Sequence, residues 1–177
     1  NMYERQIVLE KSNIILIGMP AVGKSTVGVI LAKILGYSFI DSDLLIQESR
    51  KMLLREIIAE EGVDGFLAIE NEVNRKIEAK RSVIATGGSA VYGREAMEHF
   101  RAIGTVIYLK EEFATLQRRL FDIEGRGVVL REGQTLQSLF LERSLLYEKY
   151  ADMIIEERSR GPEDTIREIR KKLALLE

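Results

Sequence analysis

The chain has no cysteine, no tryptophan, two prolines and one histidine in 177 residues. Without cysteine there is no disulfide and no thiolate metal site. A single histidine, His99, cannot by itself build an imidazole zinc site. No apolar run is long enough to span a bilayer and no leader-like stretch stands out, so cytoplasmic residence is the expectation, with no membrane partner. Neither sign of charge dominates. Lys and Arg number 26 against 28 Asp and Glu, a formal net charge of -2, which argues against a broad nucleic-acid surface. Internal repeats, low-complexity tracts and Pro/Gly-rich linkers are also missing, so nothing divides the chain into two domains. What remains is an ordinary globular composition, 46% hydrophobic and 31% charged, enough for one sizeable core and a protein expected to act as a monomer.

Against that background one stretch stands out. Gly18-Met19-Pro20-Ala21-Val22-Gly23-Lys24-Ser25 has the form G-x-x-x-x-G-K-[ST]. The run Ile14–Ile17 before it suits a buried parallel strand, and Ser25–Leu35 after it carries apolar residues at helical spacing. In that setting the loop from Gly18 through Ala21, Val22 and Gly23 to Thr26 offers backbone N–H groups at a helix N-terminus, which is an anion site. Lys24 can reach the outer phosphates of a nucleotide, and Ser25 can offer its hydroxyl to the accompanying Mg2+.

The rest of the chain alternates strands and helices. Tyr37–Ile40, Val83–Thr86, Thr105–Leu109 and Met153–Ile155 read as strands. Gly36 reads as a helix C-cap, a helical region opens at Asp41-Ser42-Asp43, and Met52–Ala59 and Val63–Lys80 read as helices broken at Gly62. Further helices are predicted over 94–101, 112–121, 135–150 and 163–176, with a loop over 122–127. This order makes the fold α/β, with a parallel sheet covered by helices on both faces. Asp41 and Asp43 stand two apart at a strand's carboxyl end, where open α/β sheets bind ligands. One of them can help hold Mg2+, and the other can take a proton from an acceptor hydroxyl. The bland alternative is an N-cap with Asp43 starting the helix. Gly87-Gly88 either exposes backbone N–H groups to a ligand or makes a tight turn with positive φ.

The phosphate loop, Phe39–Asp43, Gly62–Glu70, Ala85–Gly88, and Glu142-Arg143 with Leu146-Tyr147 and Ala151-Asp152 together resemble the shikimate kinases, small P-loop kinases of metabolites. The resemblance runs over nearly the whole chain. It implies a three-layer P-loop kinase fold with a five-stranded parallel sheet in the order 2-3-1-4-5, an acceptor-binding subdomain over about residues 41–80 and a lid over about 120–133. It implies ATP and Mg2+ as cofactors, and transfer of the γ-phosphoryl group to the hydroxyl of a small carboxylate, shikimate first. Asp41 falls on the metal side with Ser25, and Asp43 on the acceptor side with Glu70, Gly87, Gly88 and Arg143. Lys24, Asp43 and Arg126 are the catalytic candidates, Arg126 from the lid. Arg119 matches an arginine that stacks on adenine, although ATP against GTP is left open there and at Glu157–Arg160.

Two departures bear on the acceptor. The family carries Phe-Arg where this chain has Phe66-Leu67, and that arginine is a second carboxylate clamp; Ser89 replaces a usual glycine. Loss of the arginine leaves Glu70 as a spare anion, from which two other possibilities follow. A hydroxylated amino acid such as homoserine, its ammonium on Glu70 and its carboxylate on Arg143, is one; a nucleotide-binding paralogue without turnover is the other. The lid is also changed, with Arg126-Gly127-Val128-Val129 in place of Arg-Pro-Leu-Leu, which loosens its hinge.

Overall fold

A computed structural model describes residues 12–121, 128 and 130–174. The strands β1 (Asn13–Ile17), β2 (Ser38–Asp41), β3 (Ser82–Ala85), β4 (Gly104–Lys110) and β5 (Met153–Glu156) form one sheet in the order β2-β3-β1-β4-β5. Every pairing is parallel, with Ile15 opposite both Ile84 and Val106. The central β1 and β3 are buried at every residue, as unbroken apolar runs in a sheet covered on both faces must be. Helices follow each strand: α1 (Lys24–Leu35), α2 (Ser42–Arg50), α3 (Leu54–Arg75), α4 (Arg94–Ile103), α5 (Phe113–Phe121), α6 (Leu136–Tyr150) and α7 (Pro162–Ala174).

The expected fold class is therefore the observed one. Gly36 caps α1 in the left-handed region at φ 68°, as its lack of a Cβ allows. Gly62 breaks the helix as expected: its φ 72° and ψ 178° lie outside the helical region, so α3 consists of two helical stretches joined across a kink at that residue. The helix predicted to run to Lys80 stops at Arg75. The reason is tertiary. The ring of His99 takes the Ile77 carbonyl at 2.6 Å, and the Asn13 amide donates to the Ala79 carbonyl at 2.7 Å. The Asn13 amide also donates to the Ile103 carbonyl at 3.0 Å, while Asn13 Oδ1 accepts the Ser82 N–H at 3.0 Å. One buried asparagine thus ties the entry points of β3 and β4 to β1. A short 3₁₀ turn at Ala90–Tyr92 was not anticipated.

Two apolar clusters hold these layers together. The larger joins all the central strands to α1, α4, α6 and α7. The smaller, Ile46, Ile57, Phe66 and Ile69, lies between α2 and α3, with Leu67 packed partly against it. Its position separates the acceptor wall from the main core. Among the described residues no helix is long and apolar enough to cross a membrane.

Candidate active site

Both functional ends of the site sit at the carboxyl ends of the strands. The turn after β1 runs through Gly18 at φ 147°, Ala21 at φ 68° and Gly23 at φ 102° into the N-terminus of α1. Gly18 has a spatial reason as well: a Cβ there would lie 2.7 Å from the Leu109 carbonyl oxygen at the end of β4. The loop is held so that the first N–H groups of α1 face a cavity of about 440 Å³. Lys24 folds over the loop, its Nζ donating to the carbonyls of Gly18 at 2.7 Å and Met19 at 2.8 Å. Ser25 and Thr26 line the same cavity. Val22 is buried beneath the loop and packs into the core, so its part is support. Arg119, on α5, donates to the Ala21 carbonyl at 3.1 Å, with its guanidinium 3.7 Å from buried Glu111. Glu111 accepts the Ser159 N–H in turn, which joins the loop after β5 to the phosphate loop.

The two aspartates divide the roles that the sequence left open. Asp41 is the N-cap of α2, its Oδ1 accepting the N–H groups of Asp43 at 2.9 Å and Leu44 at 3.4 Å. Asp43 is thereby released from capping and lines the cavity. Burial and the Asp41 charge push its carboxyl above the usual carboxylate range, against the pull of Lys24.

Gly87 and Gly88 also resolve. Neither has a positive φ, so the turn in which the Gly87 carbonyl accepts the Ala90 N–H at 3.2 Å does not itself require glycine. Space is the reason for both. A Cβ on Gly87 would lie 2.6 Å from Asp43 Oδ1 and 3.1 Å from Glu70 Oε2, and one on Gly88 2.6 Å from Pro20 Cδ and 3.0 Å from Arg143 Nη1. The pair is the point where phosphate loop, Asp43 and Arg143 converge. Tyr147, buried on α6, holds it there by donating its hydroxyl to the Gly88 carbonyl at 2.5 Å.

Arg143 is 1% exposed and stands over the Tyr92 ring at 5.5 Å. The helix-surface salt bridge with Glu142 or Glu148 is ruled out. Glu142 accepts from Gln134 and Glu148 pairs with Lys110, both away from the site. A guanidinium sunk into a cavity wall is costly unless it meets an anion, and its fork suits a carboxylate.

Glu70 has a partner that the sequence did not show. It is 2% exposed, and its Oε1 accepts the Ser89 hydroxyl at 2.6 Å, while its Oε2 has no hydrogen-bond partner among the described residues. Burial pushes its carboxyl up to about 7, with the Ser89 hydrogen bond opposing, nearby Asp43 adding to the rise and Arg143 opposing it. The two departures, Leu67 and Ser89, are thus coupled: the hydroxyl supplies the partner that the missing guanidinium does not. Only the fold brings positions 70 and 89 together, although the serine itself was visible.

This pair sets a pH dependence. A carboxyl whose pKa rises from 4.5 to about 7 on folding binds its proton more tightly in the native state. The native state therefore loses stability as pH rises from about 4.5 through 7, by at most about 3 kcal/mol, and gains nothing above that window. Glu157, also pushed up to about 7 by burial, adds in the same direction. Glu70→Gln, which keeps an acceptor for Ser89, is expected to flatten the fall of Tm between pH 4.5 and 7 without abolishing it; an unchanged slope would show that Glu70 titrates normally.

Arg126 and half of the expected lid lie outside the described residues. At its edge, Arg131 donates to Asp64 of α3 at 2.7 Å, so the segment entering α6 touches the acceptor wall.

A phosphate loop feeding a helix N-terminus, an aspartate and a buried arginine in one cavity, on a parallel sheet of this order, define a P-loop phosphotransferase with a small-molecule acceptor. The comparisons narrow this. The family model described as shikimate kinase matches residues 20–174. The chain is 33% identical over 152 residues to shikimate kinase 2 of Yersinia pseudotuberculosis, covering 81% of this chain and 85% of that one. It superposes on the shikimate kinase of Acinetobacter baumannii in complex with shikimate with a TM-score of 0.87 at 29% identity, covering 97% and 98% of the two chains. For the enzyme from Aquifex aeolicus the TM-score is 0.75 at 30% identity, over 92% and 96%. The chain belongs to the shikimate kinase family, whose members are ATP-using phosphotransferases with an alcohol group as acceptor.

Proposed function

We propose that this chain transfers the γ-phosphoryl group of ATP to a hydroxyl of shikimate, giving shikimate 3-phosphate and ADP. The observation that carries the reading is one cavity lined at once by Lys24, Asp43, Gly87, Gly88 and Arg143. The phosphate end and the acceptor end therefore share one space.

The α1 N-terminus and Lys24 bind the phosphates, Lys24 exchanging the Gly18 and Met19 carbonyls for phosphate oxygens. Arg119 closes the base side of the loop. Arg143 holds the acceptor carboxylate, and Gly87 and Gly88 leave room for its ring beside Asp43. The acceptor oxygen forms the new bond to the γ-phosphorus as the bond to the β-bridging oxygen breaks. Asp43 accepts the hydroxyl proton, and ADP leaves with the electron pair. The raised affinity of Asp43 for a proton suits that task. Lys24 stabilises the charge on the moving group, and Arg126 is assigned the same role from the lid. No covalent enzyme intermediate is required.

Ser25, exposed and lining the cavity beside the phosphate loop, would hold Mg2+, with Asp41 at the end of β2, one oxygen spent on its cap, as a hard ligand that would reach the ion through water. When bound, the ion supplies charge neutralisation on the nucleotide. The domain works as a monomer in this reading, with residues of about 41–80 forming the acceptor subdomain and about 120–133 the lid.

An acceptor panel tests it. With Mg·ATP, the purified protein is expected to release ADP on addition of shikimate at micromolar to millimolar levels, and not with homoserine or gluconate. ADP release with homoserine but not shikimate would overturn the substrate. No release with any alcohol would overturn the reaction.

A further inference from the structure

Among the described residues, the cationic side chains lining the cavity are Lys24, Arg55 and Arg143. Lys24 belongs to the phosphate loop and Arg143 is sunk in the α6 wall. Arg55 stands apart from both. It is the second residue of α3, between Leu54 and Ile58, which line the cavity with it. It is exposed, and it makes no hydrogen bond or ion pair among the described residues.

Its position is unfavourable on local grounds. A cation in the first turn of a helix opposes the macrodipole, where an acidic residue is preferred. The neighbouring Glu56 obeys that rule, its carboxylate accepting the Leu53 N–H at 3.0 Å. Arg55 breaks it with no compensating partner among the described residues. Further along the same helix, Leu67 packs against Ile46, Ile57, Phe66 and Ile69, so it brings no charge to this wall. An anion entering the cavity from the α3 side therefore meets one guanidinium, that of Arg55.

We propose that Arg55 is a specificity-determining residue that holds the acceptor carboxylate from the α3 wall while Arg143 holds it from α6. The inference rests on the proposed carboxylate-bearing acceptor and deepens it. Arg55 is exposed and lines the cavity, and its planar fork leaves Arg143 the remaining lone pairs of the same carboxylate. This recognition is peculiar to a residue on α3 whose own helix does not explain it.

Arg55→Ala, assayed beside the wild type, is expected to raise KM for shikimate about tenfold, because a charge-assisted hydrogen bond is lost at a partly exposed site. The neutral carboxamide of shikimate keeps the ring and hydroxyls, and its KM is expected to move less than about twofold in the same variant. Equal shifts for acid and amide, or no shift for the acid, would overturn the proposal. Calorimetric titration of shikimate onto the protein with ADP and Mg2+ gives a readout without turnover. A tenfold weaker Kd in Arg55→Ala supports it, and an unchanged Kd overturns it. A wild type that binds shikimate through Arg55 but transfers no phosphoryl group strikes the proposed reaction alone. A wild type that turns shikimate over while Arg55→Ala is indistinguishable strikes this inference alone. A wild type that binds no shikimate overturns both.

Discussion

Asp43→Asn is expected to lower kcat by roughly two to four orders of magnitude, the usual contribution of a positioned general base. The dissociation constant for ATP should stay within about twofold. Asparagine fills the same space beside Gly87 and can still orient a hydroxyl, but it cannot take the proton. The capping of α2 is untouched, because Asp41 carries it. Folding should not suffer either: a carboxyl with raised proton affinity is already held at a cost, and the amide relieves it. Nucleotide affinity and turnover are read separately, by titration of ATP and by coupled ADP release at saturating acceptor. A fall in both by the same factor would make Asp43 a structural residue of the α2 N-terminus. A kcat within about tenfold of the wild type would deny it the proton.

The second large effect is expected at Arg143. Loss of a charge-assisted pair within a closed cavity costs roughly 1.5–3 kcal/mol, so Arg143→Leu should raise KM for shikimate by tenfold to more than a hundredfold. Because Arg143 is 1% exposed and lies against Tyr92 and the Gly88 backbone, removing it also disturbs packing. Arg143→Lys separates the two effects. It keeps the charge and most of the volume but loses the fork, and it should still raise KM about tenfold with Tm near that of the wild type. KM for ATP should be unmoved in both variants, since the phosphate loop is held by Lys24 and α1. A folded Arg143→Lys with an unaltered acceptor KM would remove Arg143 from the binding site.

The variants also show how differently the site's residues could be read in advance. Lys24, Ser25 and the loop glycines were legible because the chemistry is contained in eight consecutive residues between one strand and one helix. Asp43 was legible as one of two choices, and the choice turned on which aspartate capped α2. Gly87 and Gly88 were open both to a ligand's approach and to a turn with positive φ; their φ values remove the second reason for glycine, and their neighbours Asp43, Glu70, Pro20 and Arg143 leave no room for a side chain. Arg143 was open to a surface salt bridge because its helix has acidic residues on several sides, and burial decides that. The partner of Glu70 was not legible, since Ser89 lies nineteen positions away on a different element. Arg55 carried no signal at all; it lies in a helix rich in charge, and only the cavity distinguishes it.

By itself the sequence determined the alternation of buried strands and amphipathic helices, and the phosphate loop at the first turn. Both are local: side-chain periodicity and backbone freedom over a few residues decide them, whatever lies elsewhere. The tertiary structure alone decided what each charged side chain meets. It set Ser89 against Glu70, Asn13 across three chain segments, and Arg55 and Arg143 on two walls of one cavity. The reason is that the energy of a buried or half-buried charge depends on its partners and its distance from water, and both are assigned by packing between segments far apart in the chain.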